Sequence, residues 1–146
     1  MKVRPLLAVA LLASSLAVGC DLPSRNPPST KTLQVSMDDV LQHGVIAQKI
    51  TLTVGQTLVV KLGSNYTTPY RWNPEIQISD RSVLTQESHE FEQPASDALG
   101  APGAEVWRFS VRTPGTTTLT TAYASIVGQD PKPTCTYFAT VTVQSE

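Results

Sequence analysis

Polar and apolar residues alternate along much of the chain, which is the pattern of strands with one buried face. Residues 49–54 alternate in this way, and a later run puts Trp107, Phe109 and Val111 on a common face. Residues 134–144 alternate as well, with tyrosine, alanine and valine at every second position. Other runs rich in apolar and β-branched residues predict strands at 32–35, 57–62, 70–72, 83–91, 105–112 and 116–123.

Residues typical of turns separate these runs. Glycine or proline interrupts the alternation at 55–56, 73–74 and 113–115, because these residues allow or impose turn conformations. The range 37–40 predicts a short turn, and no stretch carries the apolar spacing of a convincing amphipathic helix. About seven or eight short strands joined by such turns predict an all-β fold, an immunoglobulin-like β-sandwich.

The three longest connections contain residues 63–69, 92–104 and 124–133. Loops two connections apart in a sandwich tend to share an end, so these three are predicted to form one composite edge. In the first loop, Pro69 has a fixed φ and restricts Thr68 before it, which predicts a stiff tip. A stiff loop loses little entropy on docking and suits recognition, although an ordinary strand connection has a similar composition.

The first residues carry the pattern of a signal peptide. Lys2 and Arg4 precede an apolar run over 6–18, which is shorter than the roughly 20 residues that a membrane-spanning helix needs. Small residues then lead to Cys20, in a sequence that resembles a bacterial lipobox. We therefore expect a signal peptide at 1–19 and a lipid on the Cys20 thiol. That lipid would anchor the protein in the bacterial cell envelope, on the periplasmic or cell-surface face of a membrane. The alternative is an ordinary secreted protein in which Cys20 is incidental.

The composition divides the rest of the chain and limits its partners. Residues 20–31 predict a flexible tether, because they include three prolines and few apolar side chains. The remaining range, 32–146, is enough for one small domain. The net charge is −1 and only 16% of the residues are charged, so the chain lacks the basic surface of a protein that binds nucleic acid.

The residues able to perform chemistry are few. Cys135 lies in a predicted strand and is interpreted as a small buried residue, or as a disulfide partner of Cys20 if that residue carries no lipid. A thiol nucleophile needs an adjacent base, and nothing in the local sequence of His43 or His89 favours that pairing. Both histidines are interpreted as polar surface or strand-end residues without metal spacing. Four acidic residues are interpreted as a solvated face: Asp38, Asp39, Glu90 and Glu92. We therefore expect no enzyme activity, no cofactor and no metal.

Two predicted loops carry motifs of a known family. The family's first loop reads Asn-Pro-Thr-Thr-Gly followed by Tyr or Phe, and this chain matches it at Asn65, Thr67, Thr68 and Tyr70. The family's second loop is rich in glycine and is followed by a tryptophan and a further aromatic residue. The range 100–109, with Trp107 and Phe109, is similar. Through these motifs the chain resembles the chagasin-like inhibitors of papain-type cysteine peptidases, over roughly residues 49–143.

The chain departs from the family pattern in all three loops. Members usually have Arg-Pro-Trp in the third loop, where Ser125, Ile126 and Val127 stand here. Pro69 replaces the glycine of the first loop, and Pro102 replaces a glycine of the second. Because tryptophan and arginine are enriched at binding hot spots, we expect the first two loops to carry a larger share of the affinity.

The resemblance implies a reversible inhibitor that blocks the active-site cleft of a papain-like cysteine peptidase with three loops at one end of a β-sandwich. Thr67 and Thr68 would lie near the centre of the cleft, with the other two loops on its walls. The peptidase-binding residues implied are Asn65, Tyr66, Thr67, Thr68, Pro69, Tyr70, Gly100, Ala101, Pro102, Gly103, Ser125, Ile126 and Val127. The alternative is a non-inhibitory envelope lipoprotein module that binds another protein or a glycan through the same loops.

Overall fold

The structure is a computed structural model, and it describes residues 28–129 and 132–146. The signal peptide predicted at 1–19, the predicted lipidation site Cys20 and the greater part of the predicted tether at 20–31 lie outside the described residues. Within the described ranges, no helix combines the length and the apolar character needed to cross a membrane.

The described residues form one short helix and nine strands. The helix is α1 (Met37–Gln42), and the strands are β1 (Thr30–Val35), β2 (Val45–Thr53), β3 (Thr57–Ser64), β4 (Tyr70–Trp72), β5 (Gln77–Ile78), β6 (Leu84–Glu92), β7 (Gly103–Val111), β8 (Gly115–Ser125) and β9 (Cys135–Gln144). Each strand predicted from the sequence overlaps one of these strands, and β5 is additional. With only two residues, β5 is too short to show an alternating pattern.

The strands form two sheets with a common core. One sheet has the order β1-β3-β7-β6, and the other has the order β2-β9-β8-β4, with β5 also paired to β8. The pairs β1–β3 and β2–β9 are parallel, and the other neighbours are antiparallel. Apolar side chains from both sheets join one buried cluster. The prediction of an immunoglobulin-like β-sandwich is therefore confirmed.

The alternation read from the sequence determines which side chains fill this core. Trp107, Phe109 and Val111 are buried on β7, whereas Arg108 between them is exposed. Every second residue of β9 is buried in the same way, beginning with Cys135, which is fully buried as predicted. Each large apolar side chain fully removed from water contributes roughly 1.5–3 kcal/mol, so these inward faces supply much of the driving force for folding.

Two boundaries and one turn differ from the sequence prediction. The strand β1 begins at Thr30, and the strand β2 begins at Val45, because both form parallel ladders with strands distant in sequence. Instead of a simple turn, residues 37–42 form α1. Ser36 caps this helix: its Oγ accepts a hydrogen bond of 3.1 Å from the backbone N–H of Asp39. At six residues the helix is too short to show a 3.6-residue period, and its single fully buried side chain, Val40, does not mark a face.

The strand register brings the three long connections to the same end of the sandwich. Ser64 at the end of β3 pairs with Gly103 at the start of β7, and Ala104 beside it pairs with Glu92 at the end of β6. In the other sheet, Tyr70 at the start of β4 pairs with Ser125 at the end of β8. The connections after β3, β6 and β8 therefore emerge together, as the sequence predicted.

Candidate functional site

The candidate site is the edge formed by three loops, named here loop 1 (65–69), loop 2 (93–102) and loop 3 (126–134). The structure describes loop 3 except for residues 130 and 131. Hydrogen bonds join the loops: Asn65 Nδ2 donates to the carbonyl of Gly100 at 3.1 Å, and the N–H of Ile126 donates to the carbonyl of Pro69 at 2.8 Å. Loop 1 thus lies between the other two and is bonded to both.

Asn65 accepts the hydrogen bonds that fix the conformation of loop 1. Its side-chain Oδ1 accepts hydrogen bonds from the N–H and the hydroxyl of Thr67, at 3.0 and 2.6 Å. Its main-chain carbonyl accepts from the N–H and the hydroxyl of Thr68, at 3.1 and 2.8 Å. Both hydroxyl protons are therefore used inside the loop. The oxygen of Thr67 remains able to accept a bond from a partner, whereas that of Thr68 already accepts one of 3.4 Å from the N–H of Tyr70. Thr67 is exposed, whereas Thr68 is half-buried.

Two tyrosines flank the threonines and rest on other aromatic rings. The ring of Tyr66 stacks on Phe91 of β6, with 3.7 Å between centroids. The ring of Tyr70 is tilted against Tyr123 of β8 at 5.8 Å. These contacts link the two sides of loop 1 to the two different sheets. The loop is therefore supported from both halves of the sandwich.

Arg71, the second residue of β4, was not singled out by the sequence analysis. Its Nη1 donates to the carbonyls of Thr68 and Tyr70, both at 2.6 Å, and its Nη2 donates to the carbonyl of Tyr66 at 3.2 Å. The guanidinium also lies over the ring of Tyr66, 3.8 Å from the centroid. One side chain thus binds three main-chain carbonyls in and beside loop 1.

A buried carboxylate, also missed from the sequence, lies beneath loop 1. Glu105 is only 1% exposed, and its two oxygens accept hydrogen bonds from the N–H of Trp72 at 3.0 Å, the hydroxyl of Tyr66 at 3.3 Å and Nε2 of His89 at 3.1 Å. Burial, followed by the charge and hydrogen bond of Glu105, raises the pKa of Tyr66. Tyr66 therefore keeps its proton and remains a donor to Glu105.

His89 differs from its sequence interpretation as a surface or strand-end residue. Its side chain is 20% exposed and is bonded to Glu105, and its ring lies 4.9 Å from that of Trp107. The position of Glu105 has a signal in the sequence, because it lies two residues before Trp107 on the inward face of β7. The four acidic residues interpreted as a solvated face are exposed: Asp38, Asp39, Glu90 and Glu92.

Loop 2 depends on two glycines for different reasons. Gly100 has a φ of +77°, in the left-handed region that favours glycine, and it is the third residue of a turn closed by a bond from the N–H of Ala101 to the carbonyl of Ala98. A Cβ on Gly103 would collide with the carbonyl of Glu92 and with the ring of Phe91. Ala101 is half-buried in this loop, and Pro102 is exposed.

Loop 3 presents two aliphatic side chains. Ile126 and Val127 are 66% and 60% exposed. Ser125 holds the start of the loop, because its Oγ accepts a bond of 3.2 Å from the N–H of Val127 and donates one of 3.1 Å to the carbonyl of the same residue. The loop thus offers an ordered apolar surface next to Pro69.

The chemistry available in the described ranges is that of a binding surface. Within residues 28–129 and 132–146, no three His, Cys, Asp or Glu side chains are placed to hold a metal ion together. Burial raises the pKa of the Cys135 thiol, which disfavours its reactive thiolate form. The loop edge instead offers exposed hydroxyl, aromatic and aliphatic groups on a fixed backbone.

Comparison with known protein families identifies the class. The profile described as chagasin family peptidase inhibitor I42 matches residues 51–141. This range is more than half of the chain and includes loops 1, 2 and 3 completely. The chain therefore belongs to the chagasin family of peptidase inhibitors. A search of curated proteins gave no significant match.

Solved structures with the same fold include inhibitors of cysteine proteases. The cysteine protease inhibitor EhICP2 from Entamoeba histolytica has a TM-score of 0.61 at 15% identity, covering 80% of this chain and 99% of that one. PbICP-C, in a complex with falcipain-2, has a TM-score of 0.53 at 16% identity, with 81% and 99% coverage. The solution structure of amebosin has a TM-score of 0.50 at 20% identity, with 80% and 99% coverage. At these identities the likeness shows a shared immunoglobulin-like fold.

Proposed function

We propose that this protein is a reversible inhibitor of papain-like cysteine peptidases and blocks the active-site cleft with loops 1, 2 and 3. The observation that carries the proposal is the pair of hydrogen bonds from Asn65 to Gly100 and from Ile126 to Pro69, which join the three loops into one edge. A neighbour with the same fold, PbICP-C, is bound to falcipain-2 in its solved structure.

In this proposal loop 1 enters the cleft and the other loops contact its two walls. Thr67 is exposed at the tip, and its Oγ accepts a hydrogen bond from the peptidase, since its proton is already donated to Asn65. Ile126 and Val127 supply the apolar contact on one wall. An interface of about 800 Å² on each partner is the usual size for a protease–inhibitor complex.

Inhibition by this edge requires no chemistry from the inhibitor. The protein fills the cleft, forms no covalent bond with the peptidase, and is released intact. Cys135 takes no part, because it is fully buried in β9 and its thiol pKa is raised. We therefore propose that the protein is not an enzyme and that its complex with the peptidase dissociates without cleavage.

The test is an inhibition titration against a small set of papain-like peptidases. The purified protein is expected to inhibit at least one of them with an inhibition constant in the nanomolar range, which is typical of interfaces of this size. Dilution of the complex should restore the peptidase activity, and mass spectrometry should recover the inhibitor at its original mass. A covalent adduct would contradict reversible occlusion.

The same titration separates the proposal from its alternative. A non-inhibitory envelope module that binds a protein or a glycan through these loops would leave every peptidase in the set fully active. The family assignment favours the inhibitor, because the matched range contains all three loops. Absence of inhibition across the set, by a protein shown to be folded, would contradict the proposed function.

We also propose that a lipid on Cys20 anchors the inhibitor to a membrane of the bacterial cell envelope. The support is the sequence alone, a short apolar run that ends in small residues before Cys20. The substitution Cys20→Ala should release the protein from the membrane fraction or leave its signal uncut. Unchanged processing, together with no lipid mass on the wild-type N-terminus, would contradict the anchor.

A further inference from the structure

Arg71 lies outside loop 1 but holds its backbone. The carbonyls of Tyr66, Thr68 and Tyr70 converge on its guanidinium, at 3.2, 2.6 and 2.6 Å from the donor nitrogens. Thr67, which lies between two of these residues, remains exposed. Arg71 therefore holds every second residue of the range 66–70 through its carbonyl and leaves the side chain of Thr67 free to contact a partner.

The guanidinium is itself held in place. It lies against the ring of Tyr66, which stacks on Phe91, so the three side chains form consecutive layers over β6. The hydroxyl of Tyr66 is bonded to Glu105, and Glu105 also accepts the N–H of Trp72, the neighbour of Arg71. A planar guanidinium held in this way makes several bonds in one fixed orientation, which a lysine ammonium cannot reproduce.

We propose that Arg71 is a positioning residue that holds loop 1 in its binding conformation before the peptidase is met, an inference that rests on the proposed function. Without the guanidinium, the three carbonyls bond to water, and the segment between Asn65 and Tyr70 occupies several conformations. The affinity of an inhibitor falls in proportion to the fraction of molecules whose loop is ready to bind. Arg71 acts through that fraction, with no contact to the peptidase.

This role makes a distinctive prediction for Arg71→Lys. The loss of the ordered conformation belongs to the free inhibitor, so it reduces affinity by the same factor for every peptidase that loop 1 binds, about ten- to a hundredfold. A residue in direct contact would change affinity by factors that differ between peptidases with different cleft walls. The matched control is Arg112→Lys, an exposed arginine paired with Glu87 at the opposite end of β7, which should leave all inhibition constants unchanged.

A second measurement examines the free protein. The N–H of Thr67 and that of Thr68 are bonded inside loop 1, so their hydrogen exchange, followed by NMR, reports the order of the loop. In Arg71→Lys both amides should lose nearly all their protection, because a roughly ten- to hundredfold loss of affinity requires that the bonded conformation of the loop be populated in no more than about a tenth of the molecules. Amides in the centre of β7 should exchange as in the wild type, which shows that the sandwich stays folded.

Phe91→Leu provides an independent variant that keeps Arg71. It removes the ring beneath Tyr66 and should produce a smaller loss, again equal for all peptidases. Unchanged exchange at Thr67 and Thr68 in Arg71→Lys would overturn the proposal, and so would losses that differ between peptidases. If the wild type inhibits no peptidase, the proposed function fails, and the exchange measurement alone decides whether Arg71 orders the loop.

Discussion

Thr67 and Thr68 have identical side chains and different surroundings. The hydroxyl of Thr67 bonds to the side chain of Asn65 at an exposed tip, whereas that of Thr68 bonds to the main-chain carbonyl of Asn65 in a half-buried position. Thr67 is thus placed to meet a partner, and Thr68 contributes mainly to the shape of the loop. The sequence motif alone gives the two residues the same role.

The double substitution Thr67→Ala with Thr68→Ala should weaken inhibition by roughly ten- to a thousandfold, because a polar partner lost at an interface costs about 1–3 kcal/mol and neighbouring effects are not additive. Thr68→Ala alone should also speed amide exchange in loop 1, whereas Thr67→Ala should affect it less. Inhibition constants and thermal melting check both expectations.

The matched control is Thr116→Ala, an exposed threonine at the far end of β8, which should leave inhibition unchanged. A double-threonine variant that melts like the parent and inhibits as strongly would remove both residues from the binding mechanism.

Sequence reasoning identified residues whose role follows from local pattern and missed those whose role needs distant partners. Trp107 and Phe109 were placed in the core because alternation with polar neighbours is a local signal. Glu105 lies on the same inward face of β7 as Trp107 and Phe109, but a carboxylate is normally exposed. Its burial depends on Trp72 and Tyr66, which lie more than thirty positions away in the chain.

Loop 2 is connected to loop 1 through the close packing of β6 against β7 at Gly103 and Phe91. Gly103 faces the carbonyl of Glu92 and the ring of Phe91, with no room for a Cβ. The same ring supports Tyr66 in loop 1. A side chain at position 103 would therefore disturb two loops through one contact.

Gly103→Ala should lower the free energy of unfolding by about 1–3 kcal/mol, the usual range for overpacking a buried contact. It should also weaken inhibition, because Phe91 has to move from beneath Tyr66. The control is Gly44→Ala, since a Cβ there meets no atom within 4 Å and the φ of Gly44 lies outside the left-handed region. Urea unfolding and inhibition constants measure the two effects. Equal stability of the Gly103 and Gly44 variants would contradict the predicted collision.

Elements were predictable from the sequence where they were long enough to show a period. Strands such as β7 and β9 alternate over several residues, the others are recognisable as runs rich in apolar and β-branched residues, and the loops between them contain glycine or proline. The helix α1 has six residues and the strand β5 has two, so neither completes a recognisable pattern. The start of β2 was also missed, because residues 45–48 read Val-Ile-Ala-Gln and gain their strand conformation from the parallel ladder with β9.

The sandwich as a whole holds the loop edge on a closely packed core that includes Tyr123 and Tyr137. Tyr137 is fully buried between the sheets and donates its hydroxyl proton to Gln48 at 2.8 Å. Burial raises its pKa well above the usual 10.0, and burial with Glu105 raises that of Tyr66. Both tyrosines therefore remain protonated in the folded protein at pH values where the unfolded chain loses these protons.

The free energy of unfolding should consequently fall as the pH rises above about 10, where tyrosines of the unfolded chain ionise. Above that pH the unfolded state binds fewer protons than the folded state, so the loss grows with pH. Tyr137→Phe should make the free energy of unfolding fall less steeply with pH, because phenylalanine has no proton to lose. Melting temperatures between pH 8 and 12 test this, and an identical alkaline slope in the variant would assign the effect to other groups.

The pairing of strands within each sheet was the part of the fold that the sequence predicted least well. The fold class follows from the number, spacing and alternation of the strands. The parallel pairs β1–β3 and β2–β9 join segments separated by many residues, and no local pattern specifies them. The shared end of the three loops was nevertheless predictable, since it follows from the general connectivity of sandwiches.

Inhibition by occlusion requires the loop edge to occupy the active-site cleft of the peptidase. The most direct test is calorimetric titration of the protein into papain, first with its cleft empty and then with the cleft filled by an irreversible peptidyl inhibitor. We expect tight one-to-one binding to the empty enzyme and at least a hundredfold loss when the cleft is filled, about 2.7 kcal/mol or more. Equal affinity for the two forms would place the contact elsewhere and contradict occlusion.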